Sequence, residues 1–448
     1  MKLKSINPAN EKVIGTFEVC SKERVFRIVK AAKKAFVFWR KTEISEREKF
    51  VKKFLEAFSK EEKQLSQLLS REMGKPITQA REETAKIPEM IRWFLLNTKK
   101  YIKDESCGPA RIKFEPRGVA GLITPWNYPY STSLQKIIPA LLTGNTVVFK
   151  PSELSTFCGL KIDKLFKKIN LPKNVFNTIT GGPQTGKYLV QSGVNMISFT
   201  GSTAAGKDIA QNAGQDLKKV VLELGGSDPF IVFEDADLDE AVAGAVAGRF
   251  ENCGQICIAA KRIFVHQKIY SQFLEKFTEK AQALRVGNPL DSQTQMGPLV
   301  SKGQLRVLEI QVKDAISRGA QLLCGGKKLP GKGYFYTPTV LTGLTDDMLV
   351  AREETFGPVA CIFSFENTEE ALNLANNTNY GLGASVWTKD KRKIKFITEN
   401  IASGMISVNS WGTHDLECPF GGVKESGLGR ELSEYGVREF CNIKTIIK

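Results

Sequence analysis

From Gly118 onward, short apolar runs alternate with stretches of helical spacing, and this alternation limits the possible fold more than any other feature. Gly118-Val-Ala-Gly-Leu-Ile-Thr124, Thr146-Val-Val-Phe149, Asn174-Val-Phe-Asn-Thr-Ile179 and Asn195-Met-Ile-Ser-Phe199 are predicted strands. Leu134–Leu142, Ser155–Lys168 and Thr185–Gln191 lie between them as predicted helices. Apolar strands separated by helices call for a parallel sheet with helices on both faces. A second series starts after Gly225-Gly226, with Pro229–Phe233 and a helix beginning near Asp237. It continues through Lys261–Val265, Ala384–Trp387 and Gly404–Val408, so Gly225-Gly226 reads as a hinge between two α/β domains with a cleft between them. Upstream, Lys22–Trp39, Ser45–Ser70 and Thr78–Asn97 read as three helices, punctuated by Met73-Gly74-Lys75-Pro76. The C-terminal stretch Phe440–Lys448 is extended and apolar, suited to complete a sheet edge in its own chain or a neighbour's.

A chain of 448 residues has room for two or three cores. No apolar run approaches the roughly 18 residues that span a bilayer, and Met1-Lys-Leu-Lys-Ser-Ile-Asn-Pro lacks the apolar centre of a signal peptide. Nine cysteines without a framework spacing suit a reducing compartment, so a cytoplasmic location is expected. With His266 and His414 the only histidines and no paired Cys-x-x-Cys units, no metal site is expected. The net charge of +16 raises a nucleic-acid reading. Its lysines are interleaved with apolar positions at helical spacing, without a basic-aromatic motif, so solvated helix faces and a field attracting small anions explain it better.

Five short motifs carry chemistry. In Asn252-Cys253-Gly254-Gln255-Ile256-Cys257 a thiol stands where a small-residue helix ends; either cysteine is a candidate nucleophile, and a buried structural cysteine is the ordinary alternative. Glu223 lies in the apolar run Val220–Gly226, where burial raises its pKa toward that of a base working near neutral pH, unless Lys218 or Lys219 neutralises it. Asn127, in Thr124-Pro-Trp-Asn-Tyr-Pro129, is either an oxyanion donor or part of a rigid turn. Lys150 and Glu153 end a strand, placed to bond ribose hydroxyls or simply each other, and a carboxylate there disfavours a 2′-phosphate, so NAD is slightly favoured over NADP. Phe199-Thr-Gly-Ser-Thr-Ala-Ala-Gly206 runs from strand to helix, with Gly201 allowing close approach and Ser202 either capping the helix or donating to a phosphate.

Taken together, Pro125-Trp-Asn, Lys150-Pro-Ser-Glu, Phe199-Thr-Gly-Ser-Thr, Leu222-Glu-Leu-Gly-Gly, Gly254-Gln-Ile-Cys, Glu353-Glu-Thr-Phe-Gly-Pro358 and Pro419-Phe-Gly-Gly422 resemble, in order and over nearly the whole chain, the aldehyde dehydrogenase superfamily. The resemblance implies a Rossmann-like cofactor-binding domain (1–100 and 116–225), a second α/β catalytic domain (226–430) and small β oligomerisation segments (101–115 and 431–448) of a homodimer or homotetramer. It implies oxidation of a small-molecule aldehyde to a carboxylic acid with NAD or NADP, and it points to Cys257 rather than Cys253 as the nucleophile. Asn127 and the Cys257 N–H would hold the oxyanion, Glu223 would activate water, and Lys136 and Glu431 would relay protons. That glutamate argues against the acyl-CoA-forming branch. Glu354 and Phe356 would hold the nicotinamide ribose; Lys150, Ser152 and Glu153 the adenosine ribose; Gly201 and Ser202 the pyrophosphate; Thr124, Trp126, Leu224 and Gly225 complete that side. Tyr128, Gln135, Glu251, Ile256, Ile258 and Phe420 would line the substrate pocket.

Leu224-Gly-Gly-Ser-Asp-Pro-Phe-Ile-Val232, Ala247-Gly-Arg249 and Gly421-Gly-Val-Lys-Glu-Ser-Gly-Leu-Gly-Arg-Glu-Leu432 further resemble the short succinate-semialdehyde dehydrogenase-like subgroup. Two positions depart from it: Gln135 and Glu251 stand where arginines commonly meet a carboxylate tail. The alternative to succinate semialdehyde is therefore a neutral aliphatic or hydroxy aldehyde.

Overall fold

The computed structural model describes residues 1–412 and 415–447, so His414 and Lys448 of the readings above lie outside the described residues. Two large sheets organise it. The first has six strands in the order Gly427–Leu428, Lys219–Glu223, Met196–Thr200, Val119–Ile123, Thr146–Lys150, Phe176–Thr178. All its pairings are parallel except that of Gly427–Leu428 with Lys219–Glu223. The second has seven, ordered Gln321–Cys324, Thr339–Thr342, Val359–Phe365, Ala260–His266, Asp228–Val232, Ser385–Trp387, Ser407–Val408, with only the Gln321–Cys324 edge antiparallel. Val119–Ile123, Thr146–Lys150, Asp228–Val232 and Ala260–His266 are buried at every residue, which is why their sequences do not alternate.

The segment 226–430 does not stay in one sheet. Gly427–Leu428 returns to the first and pairs with Glu223, because Gly427 lies where a Cβ would meet the Leu222 carbonyl at 2.2 Å. The C-terminal strand Cys441–Ile447 pairs along its whole length with Ala110–Pro116 of its own chain, and Glu105–Cys107 completes this three-stranded sheet.

The three N-terminal helices are Lys22–Trp39, Ile44–Met73 and Ile77–Tyr101. Ser21 caps the first through Arg24 N, and Gly74 ends the second in the left-handed conformation that glycine alone adopts freely. The helix expected over Leu134–Leu142 begins earlier, at Ser131, since Glu83 of another helix accepts the Tyr130 and Ser131 N–H groups. The strand expected over Gly404–Val408 shrinks to Ser407–Val408. A hairpin, Lys2–Ile6 with Val13–Glu18, fills the first residues, for which the apolar pattern gave no assignment.

Candidate active site

The loop bearing the two cysteines follows the helix Leu238–Phe250, which Asp237 caps through Glu240 N. Its backbone then turns left-handed at three consecutive residues, Asn252 (φ 49°), Cys253 (φ 58°) and Gly254 (φ 68°). Such conformations cost on the order of 1–3 kcal/mol at each non-glycine residue and persist only where neighbours hold them. Here the Asn252 N–H donates to Gln79 Oε1 at 2.9 Å, Gln255 Nε2 to Asn252 O at 3.0 Å, and Val300 N to Gln255 Oε1 at 2.9 Å. The reversal sends the two thiols apart: Cys253 is 1% exposed in the core, whereas Cys257 is half-buried. The backbone at Cys253 is not helical, and both cysteines are free.

Around Cys257 burial dominates. It pushes the thiol up to about 12, opposed by Lys261 and reinforced by Glu354, Asp228 and Glu223. Lys261, buried inside a strand, donates its ammonium to Ile256 O (2.9 Å) and Cys257 O (2.6 Å) and lies 3.4 Å from Glu354. The sequence reading passed over this lysine, although a charge inside a fully buried strand was the available signal.

Glu223 is 3% exposed, and neither carboxylate oxygen has a hydrogen-bond partner among the described residues. Burial raises it to about 8, with Lys136 and Arg430 pulling it down. Neither Lys218 nor Lys219 neutralises it, being paired with Asp216 and Glu439. The buried Lys136 contacts Glu431 Oε1, and Gln135 donates to Glu431 Oε2. Burial lowers the Lys136 pKa, while Glu223, Cys257 and the touching Glu431 carboxylate favour its charged form. Asn127 donates one amide hydrogen to Gln255 O at 3.0 Å, which fixes the plane of the side chain and leaves its second amide hydrogen outside that bond.

Along the carboxyl edge of the first sheet stand Thr124 (Oγ1 3.0 Å from Ser133 Oγ), Lys150 with Glu153 (3.4 Å), the buried Ser152, and Ser202, whose hydroxyl accepts from Ala205 N at 3.4 Å at the start of the helix Thr203–Gly214. Gly201 N donates to Glu223 O, and Leu224 packs so closely on Gly206 that a Cβ there would meet it at 2.3 Å. Glu354 Oε1 accepts from Gly226 N at 3.1 Å, and a Cβ on Gly225 would strike Glu354 Oε2 at 2.4 Å. Phe356 packs edge-on against Trp126, ring centroids 5.5 Å apart. Strand-end hydroxyls, a lysine–glutamate pair and a capped helix N-terminus form a donor set that fits a dinucleotide. Among the described residues no group of histidines, cysteines and carboxylates can hold a metal ion, and no helix is long and apolar enough to cross a membrane.

A third cluster borders the cleft. Tyr128 donates to Glu251 Oε1 at 2.8 Å, and burial and Glu251 hold its phenol protonated. Lys75 sits 3.3 Å from the centre of the Tyr128 ring and 2.5 Å from Glu83 Oε2. Neither Lys75 nor Glu83 was marked as a site residue; the turn Met73–Pro76 gave no chemical signal. Ile256 is buried, and Ile258 and Phe420 line a cavity of about 350 Å³ with Trp411, Asp415 and Leu432.

Comparison with known proteins covers nearly the whole chain. The model of the aldehyde dehydrogenase family matches residues 1–446. Succinate-semialdehyde dehydrogenase [NADP(+)] 1 of Mycobacterium tuberculosis (strain H37Rv) is 37% identical over 454 residues, covering 100% of this chain and 99% of that protein. Succinate semialdehyde dehydrogenase [NAD(P)+] of Escherichia coli (strain K12) is 37% identical over 449 residues, covering 99% and 97%. The crystal structure of an NAD-dependent aldehyde dehydrogenase from Sinorhizobium meliloti superposes with a TM-score of 0.97 at 34% identity, covering 100% of this chain and 91% of that one. The chain belongs to the aldehyde dehydrogenase family and is an NAD(P)-dependent enzyme that oxidises aldehydes.

Proposed function

We propose that Cys257 is the nucleophile, Glu223 the base and Asn127 the oxyanion donor in oxidation of a neutral-tailed aldehyde to its acid, with NAD preferred over NADP. The observation that carries this reading is Glu223: a buried carboxylate without a partner, in charge contact with Cys257 and pushed up to about 8. A structural carboxylate at that depth would be paired.

As Cys257 Sγ bonds to the aldehyde carbon, its proton passes to Glu223 and the carbonyl electron pair moves onto oxygen. There the second amide hydrogen of Asn127 and the Cys257 N–H meet the charge. Assistance by a base is required, since a thiol near 12 supplies almost no free thiolate at neutral pH. When bound, the nicotinamide accepts the hydride that leaves the substrate carbon. A thioester on Cys257 remains. Lys136, touching Glu431 and close to Glu223, gives one of its own protons to Glu431 as it takes the first proton from Glu223, so its charge is unchanged. Glu223 then takes a proton from water as its oxygen attacks; the S–C bond breaks, its electron pair returns to sulfur, and the acid departs.

Glu354 and Phe356 hold the nicotinamide ribose, and Lys150 and Glu153 the adenosine ribose. Glu153, half-buried beside Lys150, repels a 2′-phosphate, which supports NAD. The two positions where the subgroup commonly carries arginines hold no cation here: Gln135 is committed to Glu431, and Glu251 to Tyr128. Succinate semialdehyde is the second reading, favoured by the names of the 37%-identical relatives. We read residues 1–100 with 116–225 as the cofactor lobe and 226–430 as the catalytic lobe. The strand Cys441–Ile447, with Ile443 and Ile447 exposed, is the self-association surface of a homo-oligomer.

Stopped-flow assays of Glu223→Gln test the core of this reading. In the variant both the first NADH-forming turnover and the steady-state release of acid are expected to slow by about 10²–10⁴-fold relative to the wild type. Steady-state hydrolysis at the wild-type rate would reject Glu223 as the base. The same assay run with NADP, and with succinate semialdehyde against a neutral aldehyde of equal length, decides cofactor and tail.

A further inference from the structure

Arg249 is fully buried in the last turn of the helix Leu238–Phe250 and has no carboxylate partner among the described residues. Burial pulls the guanidinium down to about 10, so it remains charged at neutral pH. Its Nη2 donates to Gly254 O (3.1 Å), Thr355 O (3.2 Å) and Gly357 O, while Nε and Nη1 have no partner. An apolar side chain of similar volume would fill this space without the desolvation penalty of a guanidinium. What only the arginine supplies is a bridge. Gly254 belongs to the left-handed loop three residues before Cys257, and Thr355 and Gly357 flank Phe356 in the segment that follows Glu354.

The joint has no slack. Gly254 needs φ +68°, and a Cβ on it would lie 2.3 Å from Gly357 O and 2.5 Å from Arg249 Nη2. Two Nη2 hydrogens serve three carbonyl oxygens, so one acceptor shares a proton with another. A shift of less than an ångström in the Glu354–Gly357 segment therefore redistributes the bonds and either drags or releases the Gly254 carbonyl.

We propose that Arg249 is a positioning residue that couples occupancy of the Glu354–Phe356 segment by the nicotinamide half of the cofactor to the conformation of the loop carrying Cys257. This rests on the reading that Glu354 and Phe356 hold the nicotinamide ribose. The cofactor then does more than fill its own site: its binding sets the loop from which the thiol attacks.

Amide hydrogen exchange with and without saturating NAD⁺ tests this on wild type, Arg249→Lys and Arg249→Met, each saturated according to its own measured Kd. In wild type, NAD⁺ is expected to slow exchange in peptides covering both 353–358 and 251–258. In the variants 353–358 remains protected, while the NAD⁺ effect on 251–258 falls by about fivefold or more, the lower end of ordinary coupling between sites. A lysine is too short to bridge three carbonyls, so that variant carries the test if methionine prevents folding. Protection of 251–258 that survives in the variants overturns the coupling, as does wild-type protection confined to 353–358. Absence of protection at 353–358 in wild type instead overturns the assignment of Glu354 and Phe356, and the coupling with it.

Discussion

Glu223 and Glu431 are buried carboxylates that both feel Lys136, 3% and 5% exposed, yet they are held in opposite ways. Both oxygens of Glu431 are taken, one by Lys136 and one by Gln135. Neither oxygen of Glu223 is. The Tyr128–Glu251–Lys75–Glu83 cluster follows the pattern of Glu431, with each carboxylate holding a donor within the wall. A paired carboxylate keeps one protonation state and one position; an unpaired buried one stays poised to change its proton. On the proposed reading, the difference separates a group that reacts from groups that shape the space around the reaction.

Removing the sulfur proposed as the nucleophile breaks this comparison most severely. Cys257→Ala is expected to lower kcat on the order of 10⁴-fold or more, as loss of a covalent nucleophile does. Cys253→Ala, four residues away but packed in the core, is expected to stay within about twofold in kcat and to lose roughly 1–2 kcal/mol of stability. Steady-state kinetics and thermal melts of the pair decide it; equal losses of activity would mean that both thiols face the chemistry.

The next test concerns the poised carboxylate. Glu223 acts as a base only when deprotonated, so the acid-releasing step should rise by about tenfold per pH unit below about 8 and level off above it. Lys136 holds Glu223 lower than burial alone would, so Lys136→Met should move that limb to higher pH. Stability carries the opposite sign. With a folded pKa raised from 4.5 to about 8, the contribution of Glu223 to folding is fully present below about 4.5 and is lost as pH rises through 8. Glu223→Gln should therefore gain melting temperature relative to wild type across that window, with the gain flat above it. A pH-independent deacylation rate would remove Glu223 from the step.

Much of this was legible in the chain. Apolar strands such as Thr146–Phe149 and Pro229–Phe233 announced parallel sheets because both of their faces are covered, and Asp237 and Ser202 marked helix starts through their own side chains. What stayed hidden depends on partners distant in sequence. The helix at Ser131 is capped by Glu83, 48 residues away. The left-handed run Asn252–Gly254 is held by Gln79, and no local propensity assigns positive φ to a cysteine. The hexapeptide therefore offered two thiols, and its own residues do not reveal that the backbone hand reverses between them. The deep setting of Glu223 could be read from its apolar neighbours; the absence of any partner could not, because it depends on where Lys218 and Lys219 point.

The smallest effect is expected at the wall. The formal charges of Lys75, Glu83 and Glu251 sum to −1, and Lys75 is paired with Glu83. Glu251→Arg changes that sum to +1 and offers two parallel N–H donors to a carboxylate. The ratio of kcat/KM for succinate semialdehyde to that for a neutral aldehyde of equal length should rise about tenfold, mostly through KM, since the tail is bound alike before and during the reaction. Glu251→Gln removes the charge without adding a clamp and should move the ratio by only about threefold. Because a glutamine amide oxygen still accepts from Tyr128 whereas arginine has no acceptor, a loss of neutral-aldehyde kcat confined to Glu251→Arg reports the Tyr128 hydrogen bond, while the change in the ratio reports charge. Ratios equal to wild type in both, with neutral-aldehyde turnover intact, would place the substrate tail elsewhere, on the side of Ile258 and Phe420.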